Sequence, residues 1–233
     1  MKNNSLFKRG LLDGIPIGLG YFAVSISIGI AAVGSGLSVI TALLISMTNL
    51  TSAGQAAGIT LIAAGGSFIE MALVQFVINL RYSLMGISLS QRLDESFTTG
   101  KRLFLGTFIT DENFAVASGQ ESLNVRYMYG LIIVPYLGWA AGTLLGASAG
   151  TVLPASVTTA LGLALYGMFI AIVVPAMKKS RGVVLAVLLA AAISTLLKLL
   201  PIFSGISYGF AVIIASVAAA AVSAWVSTRR EKQ

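Results

Sequence analysis

Three long stretches of this chain contain no Asp, Glu, Lys or Arg: Gly14 to Ile69, Tyr127 to Met177 and Leu199 to Thr228. A helix needs only ~20 apolar residues to cross a bilayer. Each of the first two stretches holds a helical hairpin, and the third holds one helix. Of the 233 residues only 10% are charged and 57% are hydrophobic, against roughly 25% charge in ordinary soluble domains. The pattern specifies an all-α polytopic integral membrane protein lying in a lipid bilayer. A transmembrane β-barrel would show alternating segments of about ten residues, and none occur.

The apolar runs predict helices over Leu12–Val33, Leu37–Gly58, Ile59–Leu80, Tyr127–Gly150, Ser156–Met177, Gly182–Leu200 and Ser207–Thr228. The stretch LFLGTFITDENFAVASG, Leu103–Gly119, is either a short spanning helix or a re-entrant one. About seven to eight transmembrane or re-entrant helices result. Lys2, Lys8 and Arg9 precede the first run as in a signal peptide, but no small-residue cleavage site leading into a soluble domain follows. The segment therefore reads as an uncleaved first helix. The basic clusters at Lys178, Lys179 and Arg181 and at Arg229, Arg230 and Lys232 flank two helices, so both can be cytoplasmic, as can the N-terminus. Both termini are expected inside.

The chain has no Cys and no His. Disulfides, thiolate or imidazole metal sites, and Ser-His-Asp or Cys-His catalysis are excluded. No metal or cofactor is expected. The net charge of +7 sits in basic residues beside apolar runs, as in cytoplasmic loops, so it does not indicate nucleic acid.

An internal two-fold repeat is visible at a constant offset of 118. Leu19, Gly20, Ala23, Ser38, Val39, Thr41, Ala42 and Leu43 match Leu137, Gly138, Ala141, Ser156, Val157, Thr159, Ala160 and Leu161, and Tyr21 faces Trp139. The alternative is chance similarity between small-residue-rich helices. Read as a repeat, residues 1–118 form the first copy, with a polar loop or re-entrant region at 81–119, and residues 119–233 the second. Such repeats of broken helices are the ordinary construction of secondary transporters. Lys8 and Arg126 share the offset, which favours a parallel repeat.

Polar groups inside the apolar runs mark candidate sites. Gly14, Pro16, Gly18 and Gly20 crowd the first helix. Pro16 removes a backbone donor, so this helix either opens onto a polar cavity or makes a tight small-residue contact. Asn49 and Gln55 lie in TNLTSAGQ. Glu70 precedes Gln75, Asn79 and Arg81. Asp111 and Glu112 lie in TDEN. An ionisable group within a span costs ~2.5–3.5 kcal/mol and usually faces the protein interior. Glu70, the only acid from Gly14 to Leu80, is the candidate proton- or substrate-linked carboxylate. Arg81 is expected at the end of the third helix, either snorkelling to headgroups or gripping Asp111 or Glu112. Asn79 would there satisfy backbone opened by the helix end.

These same residues carry a family resemblance. NLRYSLMGISL (Asn79–Leu89) resembles the NLRH-LYG-SL stretch of the AzlC family of branched-chain amino acid exporters, and FITDENFAVA (Phe108–Ala117) its LTDE-FA stretch. LLDGIPIGLGYFAVSISIGIAA is similar to the family's first helix, and LTSAGQAA to its AGSAQF segment. Tyr82 stands where the family often has His, and SAGQ replaces GSAQ. The order agrees over residues 7 to 120. The resemblance implies the large subunit of an exporter of valine, leucine, isoleucine and sometimes methionine. It also implies a small AzlD-like membrane partner, and the bacterial cytoplasmic membrane as location.

The leading functional reading is a secondary-active exporter rather than an enzyme. No P-loop occurs, so an ion gradient or substrate exchange must supply the energy. Glu70 or Asp111 would accept a substrate ammonium. Backbone N–H groups near Gly14–Gly20 would meet its carboxylate. A channel or a structural subunit is the alternative. A membrane-embedded enzyme using Asp111 and Glu112 is disfavoured, because adjacent helical residues point ~100° apart.

Overall fold

The computed structural model describes residues 2–150 and 173–231, with Pro154, Ser156, Gly167 and Ile170 between them. The described chain is helical: α1 (Lys2–Gly34), α2 (Val39–Thr48), α3 (Ser52–Ala63), α4 (Phe68–Ser90), α5 (Thr99–Gly106), α6 (Asp111–Ser118), α7 (Val125–Gly150), α8 (Arg181–Leu199), a 3-10 turn at Pro201–Phe203, and α9 (Tyr208–Glu231). Among the described residues α1, α4, α7, α8 and α9 are long and apolar enough to cross a membrane. The architecture is that of an all-α polytopic membrane protein. Most of the helix expected at Ser156–Met177 lies outside the described residues, as do four of the eight repeat matches, Val157, Thr159, Ala160 and Leu161.

Three expected helix boundaries are corrected. Leu37–Gly58 is not one helix, because it breaks at Asn49–Thr51 into α2 and α3. Thr51 starts α3 as its cap, accepting a hydrogen bond from Gly54 N at 3.3 Å, so the hydroxyl competes with helix continuation. The next helix starts at Phe68, not Ile59, after a turn in which Gly65 adopts φ +69, and it runs on to Ser90. Leu103–Gly119 is likewise divided. Thr110 caps α6 by accepting from Asn113 N at 3.3 Å, and Asp111 and Glu112 sit in the first turn, where acids oppose the helix dipole favourably.

The chain forms two compact units, Met1–Ala56 with Asn79–Leu165 and Ala57–Ile78 with Tyr166–Gln233. Each unit draws on both halves of the sequence.

In the first unit α1 packs on α7 through glycines. A Cβ on Gly14 would stand 2.6 Å from Leu131 O, and one on Gly18 2.7 Å from Val134 Cγ1. On the facing helix, Gly130, Gly138, Gly142 and Gly146 press on α1 backbone in the same way. In lipid, where apolar burial drives little, such close backbone approach is what holds helices together. Gly10 meets Tyr127 and Leu131, whereas Gly29 meets Thr143 and Ala147, so the two helices run parallel. Parallel spans require an odd number of crossings between them. Tyr127 Oη donates to Asp13 at 2.7 Å and pins the start of this pair. Beside it, residues 91–98 are held to 120–125 by a bridge between Leu93 and Leu123. Asn124 Nδ2 donates to Asp94 at 2.9 Å.

In the second unit α8 packs on α9, and Ser223 Oγ donates to Gly182 O at 2.6 Å. Leu61 of α3 and Val74 of α4 share a buried cluster, with Ile213 of α9 against it.

Candidate functional site

Because α4 continues to Ser90, Arg81 is not at a helix end. It stands nine residues, ~13.5 Å of rise, inside the span. Asn79, expected to satisfy an open helix terminus, instead lies within the same continuous helix. An arginine at this depth requires a counter-charge or an aqueous opening, and the structure supplies the counter-charge. Arg81 Nη2 lies 2.8 Å from Asp111 Oδ2, with the two side chains 41% and 33% exposed. The guanidinium also covers the ring of Tyr82, 4.9 Å from its centroid, and donates to Tyr82 Oη at 3.1 Å. Tyr82 Oη in turn donates to Thr51 Oγ1 at 3.4 Å. The guanidinium is thereby tied to both helix breaks, to Thr51 at the start of α3 and to Asp111 at the start of α6.

Glu112 takes a different partner. It accepts a hydrogen bond from Tyr21 Oη of α1. Tyr21 meets Trp139 of α7 edge-on, with centroids 5.3 Å apart at 72°. Trp139 Nε1 donates to Gln55 Oε1 at 3.0 Å. The same oxygen accepts from Ser46 Oγ at 3.3 Å, and Ser46 is bonded to Thr143 Oγ1 at 2.6 Å. Gln55, Ser46, Thr143 and Asn113 are all buried. Among the described residues Gln55 Nε2 and Asn113 Oδ1 have no hydrogen-bond partner, at a typical cost of about 1–3 kcal/mol each. One unit thus brings together side chains from α1, α2, α3, α4, α6 and α7 around paired charges and two unsatisfied amide atoms.

The remaining sequence candidates have the following settings. Asn49 caps α2, its backbone N–H bonding Ile45 O. Gly18 is spent on the α7 contact, Gly20 has nothing within 4 Å of a Cβ position, and Pro16 is exposed within a continuous α1. Glu70 belongs to the second unit. There it is buried and accepts from Ser207 Oγ and from Gly209 N at 2.7 Å, capping the N-terminus of α9. Sequence reasoning left Tyr21, Ser46, Tyr82, Trp139 and Thr143 out of the site. The signal available was the aromatic with a polar handle inside a charge-free run, which must find a partner when buried.

Charge-free spans, two helices broken at capping threonines and an ion pair inside a span define a multi-pass membrane protein built around a polar core. The chain belongs to the AzlC family: the family model "AzlC protein" matches residues 16–153. It is 30% identical over 146 residues to an uncharacterized membrane protein of Archaeoglobus fulgidus, covering 62% of this chain and 63% of that relative. It is 28% identical over 147 residues to the inner membrane protein YgaZ of Escherichia coli, covering 61% and 60%. The matched stretch therefore spans about three fifths of the length of these relatives. No solved structure matches the chain at a significant level.

Proposed function

We propose that this protein is a secondary-active exporter of branched-chain and similar hydrophobic amino acids, with valine, leucine, isoleucine and methionine as the candidate substrates. It would act in the bacterial cytoplasmic membrane with both termini inside. It would draw on an ion gradient and work with a small AzlD-like membrane subunit. The observation that carries the reading is the Arg81–Asp111 pair, charged and partly accessible inside a span of a membrane protein of this family. A lone intramembrane charge is costly, and a paired one that remains accessible fits a polar substrate pathway. Helices broken at Asn49–Thr51 and at 107–110 fit the discontinuous helices that form midplane sites in secondary transporters.

The test is efflux from proteoliposomes preloaded with labelled L-leucine, with and without the small subunit and with and without an imposed proton or sodium gradient. Saturable efflux that accelerates with one gradient supports an exporter. Efflux that rises linearly with concentration and ignores both gradients would make the protein a channel.

A further inference from the structure

The pairing of Arg81 with Asp111 suggests how the site tells its substrate from related molecules, given the transport reading above. We propose that a zwitterionic α-amino acid binds by inserting between these two residues. Its carboxylate takes the Arg81 guanidinium and its ammonium takes the Asp111 carboxylate.

Charge balance favours this insertion. The resting pair is neutral, with its nearest atoms 2.8 Å apart. Breaking the pair without replacement leaves two half-exposed charges inside a span, which is unfavourable. A zwitterion restores both partners at once, because it presents an acceptor to the guanidinium and a donor to the carboxylate. A carboxylate without an ammonium would satisfy Arg81 and strand Asp111. An amine without a carboxylate would do the reverse. The site therefore rejects both halves through the charge each leaves unpaired, a stronger filter than apolar fit alone.

The elements carrying the two residues suit this opening. Arg81 sits in the long unbroken α4 and is steadied by Tyr82. Asp111 begins an eight-residue helix, with non-helical residues 107–110 before it and 119–124 after it. Gly106, next to the first of these, has nothing within 4 Å of a Cβ position. Asp111 is thus the partner free to withdraw. The capping hydroxyl of Thr110 and the Glu112–Tyr21 bond move with it or set its limit.

The experiment uses the full-length protein, purified and reconstituted, with two half-analogues of leucine. 4-Methylpentanoate lacks the ammonium, and 3-methylbutylamine lacks the carboxylate. Thermal stabilisation in detergent by L-leucine, L-valine and L-methionine reads binding independently of transport, and competition against labelled L-leucine uptake reads it during transport. In the wild type each half-analogue should act at least ~100-fold more weakly than leucine. In thermal stabilisation, which needs no transport, Asp111→Asn should shift preference toward 4-methylpentanoate, and Arg81→Gln toward 3-methylbutylamine, each by tenfold or more relative to leucine. If either half-analogue matches leucine in the wild type, or if no zwitterion stabilises the protein, insertion is wrong. Equal loss of all three ligands in both variants, with folding retained, would make the pair a brace and overturn the proposal while leaving export intact. Zwitterion binding with the expected preferences but no leucine transport would refute the export reading and leave the binding geometry standing.

Discussion

Arg81 and Asp111 meet at 2.8 Å, although one lies within the unbroken α4 and the other opens the short α6. Their contact joins a long span to a broken one. Glu112, the adjacent acid, turns away to Tyr21. Two neighbouring carboxylates thereby serve two different helices. Reversing the first pair is an informative perturbation: Arg81→Glu and Asp111→Arg should each abolish leucine transport, and the double exchange should recover part of it. The parallel exchange with Glu112 should recover none. Rescue by the Glu112 exchange instead would reassign the pair.

The α1–α7 contact separates two glycines that look alike in the sequence. Gly18→Leu places a side chain where even a Cβ collides with Val134, and overpacking of this kind costs about 1–3 kcal/mol. Gly20→Leu meets open space and should leave stability nearly unchanged. Thermal unfolding in detergent distinguishes them. A similar loss in both variants would contradict the packing described.

Glu70 joins the starts of α4 and α9 through Ser207 and Gly209. Glu70→Gln keeps an acceptor but loses the charge facing the helix N-terminus, so it should lower the unfolding temperature. Glu70→Ala should lower it further. Retained stability together with a lost ion dependence of transport would return Glu70 to the coupling role its position in the sequence suggested.

Asp94 lies in the loop beside Leu123. Burial pushes its carboxyl upward, but hydrogen bonds from Ser96 and Asn124 outweigh this and hold it below the usual carboxylate range. A depressed pKa means the contribution is present above the ordinary carboxylate pKa and is lost as pH falls through the depressed one. Hydrogen exchange over residues 91–98 and 120–125 should be slow at pH 7 and accelerate only in strong acid. Asp94→Ala should show the fast pattern already at pH 7. A variant as protected as the wild type would show that the Leu93–Leu123 bridge suffices alone.

The membrane class was legible from the charge-free runs, because nothing but lipid accommodates them. The helix breaks were less so. Thr51 and Thr110 act as caps through local hydrogen bonds that a hydropathy reading passes over, which is why Leu37–Gly58 and Leu103–Gly119 each looked continuous. Arg81 looked like a terminus because a charge ended the apolar run, yet a partner brought from thirty residues downstream lets the helix continue through it. Glu70 stood out for the same reason, being an isolated acid in an apolar run, and its partners, the Ser207 hydroxyl and the Gly209 N–H in the first turn of α9, come from far along the chain. Tyr21 and Trp139 were paired by the repeat alignment and do touch, but their hydrogen bonds to Glu112 and Gln55 depend on packing that no local pattern encodes.

The most direct measurement is counterflow of labelled L-leucine in proteoliposomes preloaded with unlabelled L-leucine, comparing the wild type with Arg81→Gln. The account predicts transient accumulation of label in the wild type, lost in Arg81→Gln while the protein stays folded and inserted. No accumulation in the wild type with the small subunit present, or undiminished counterflow in the variant, would contradict it.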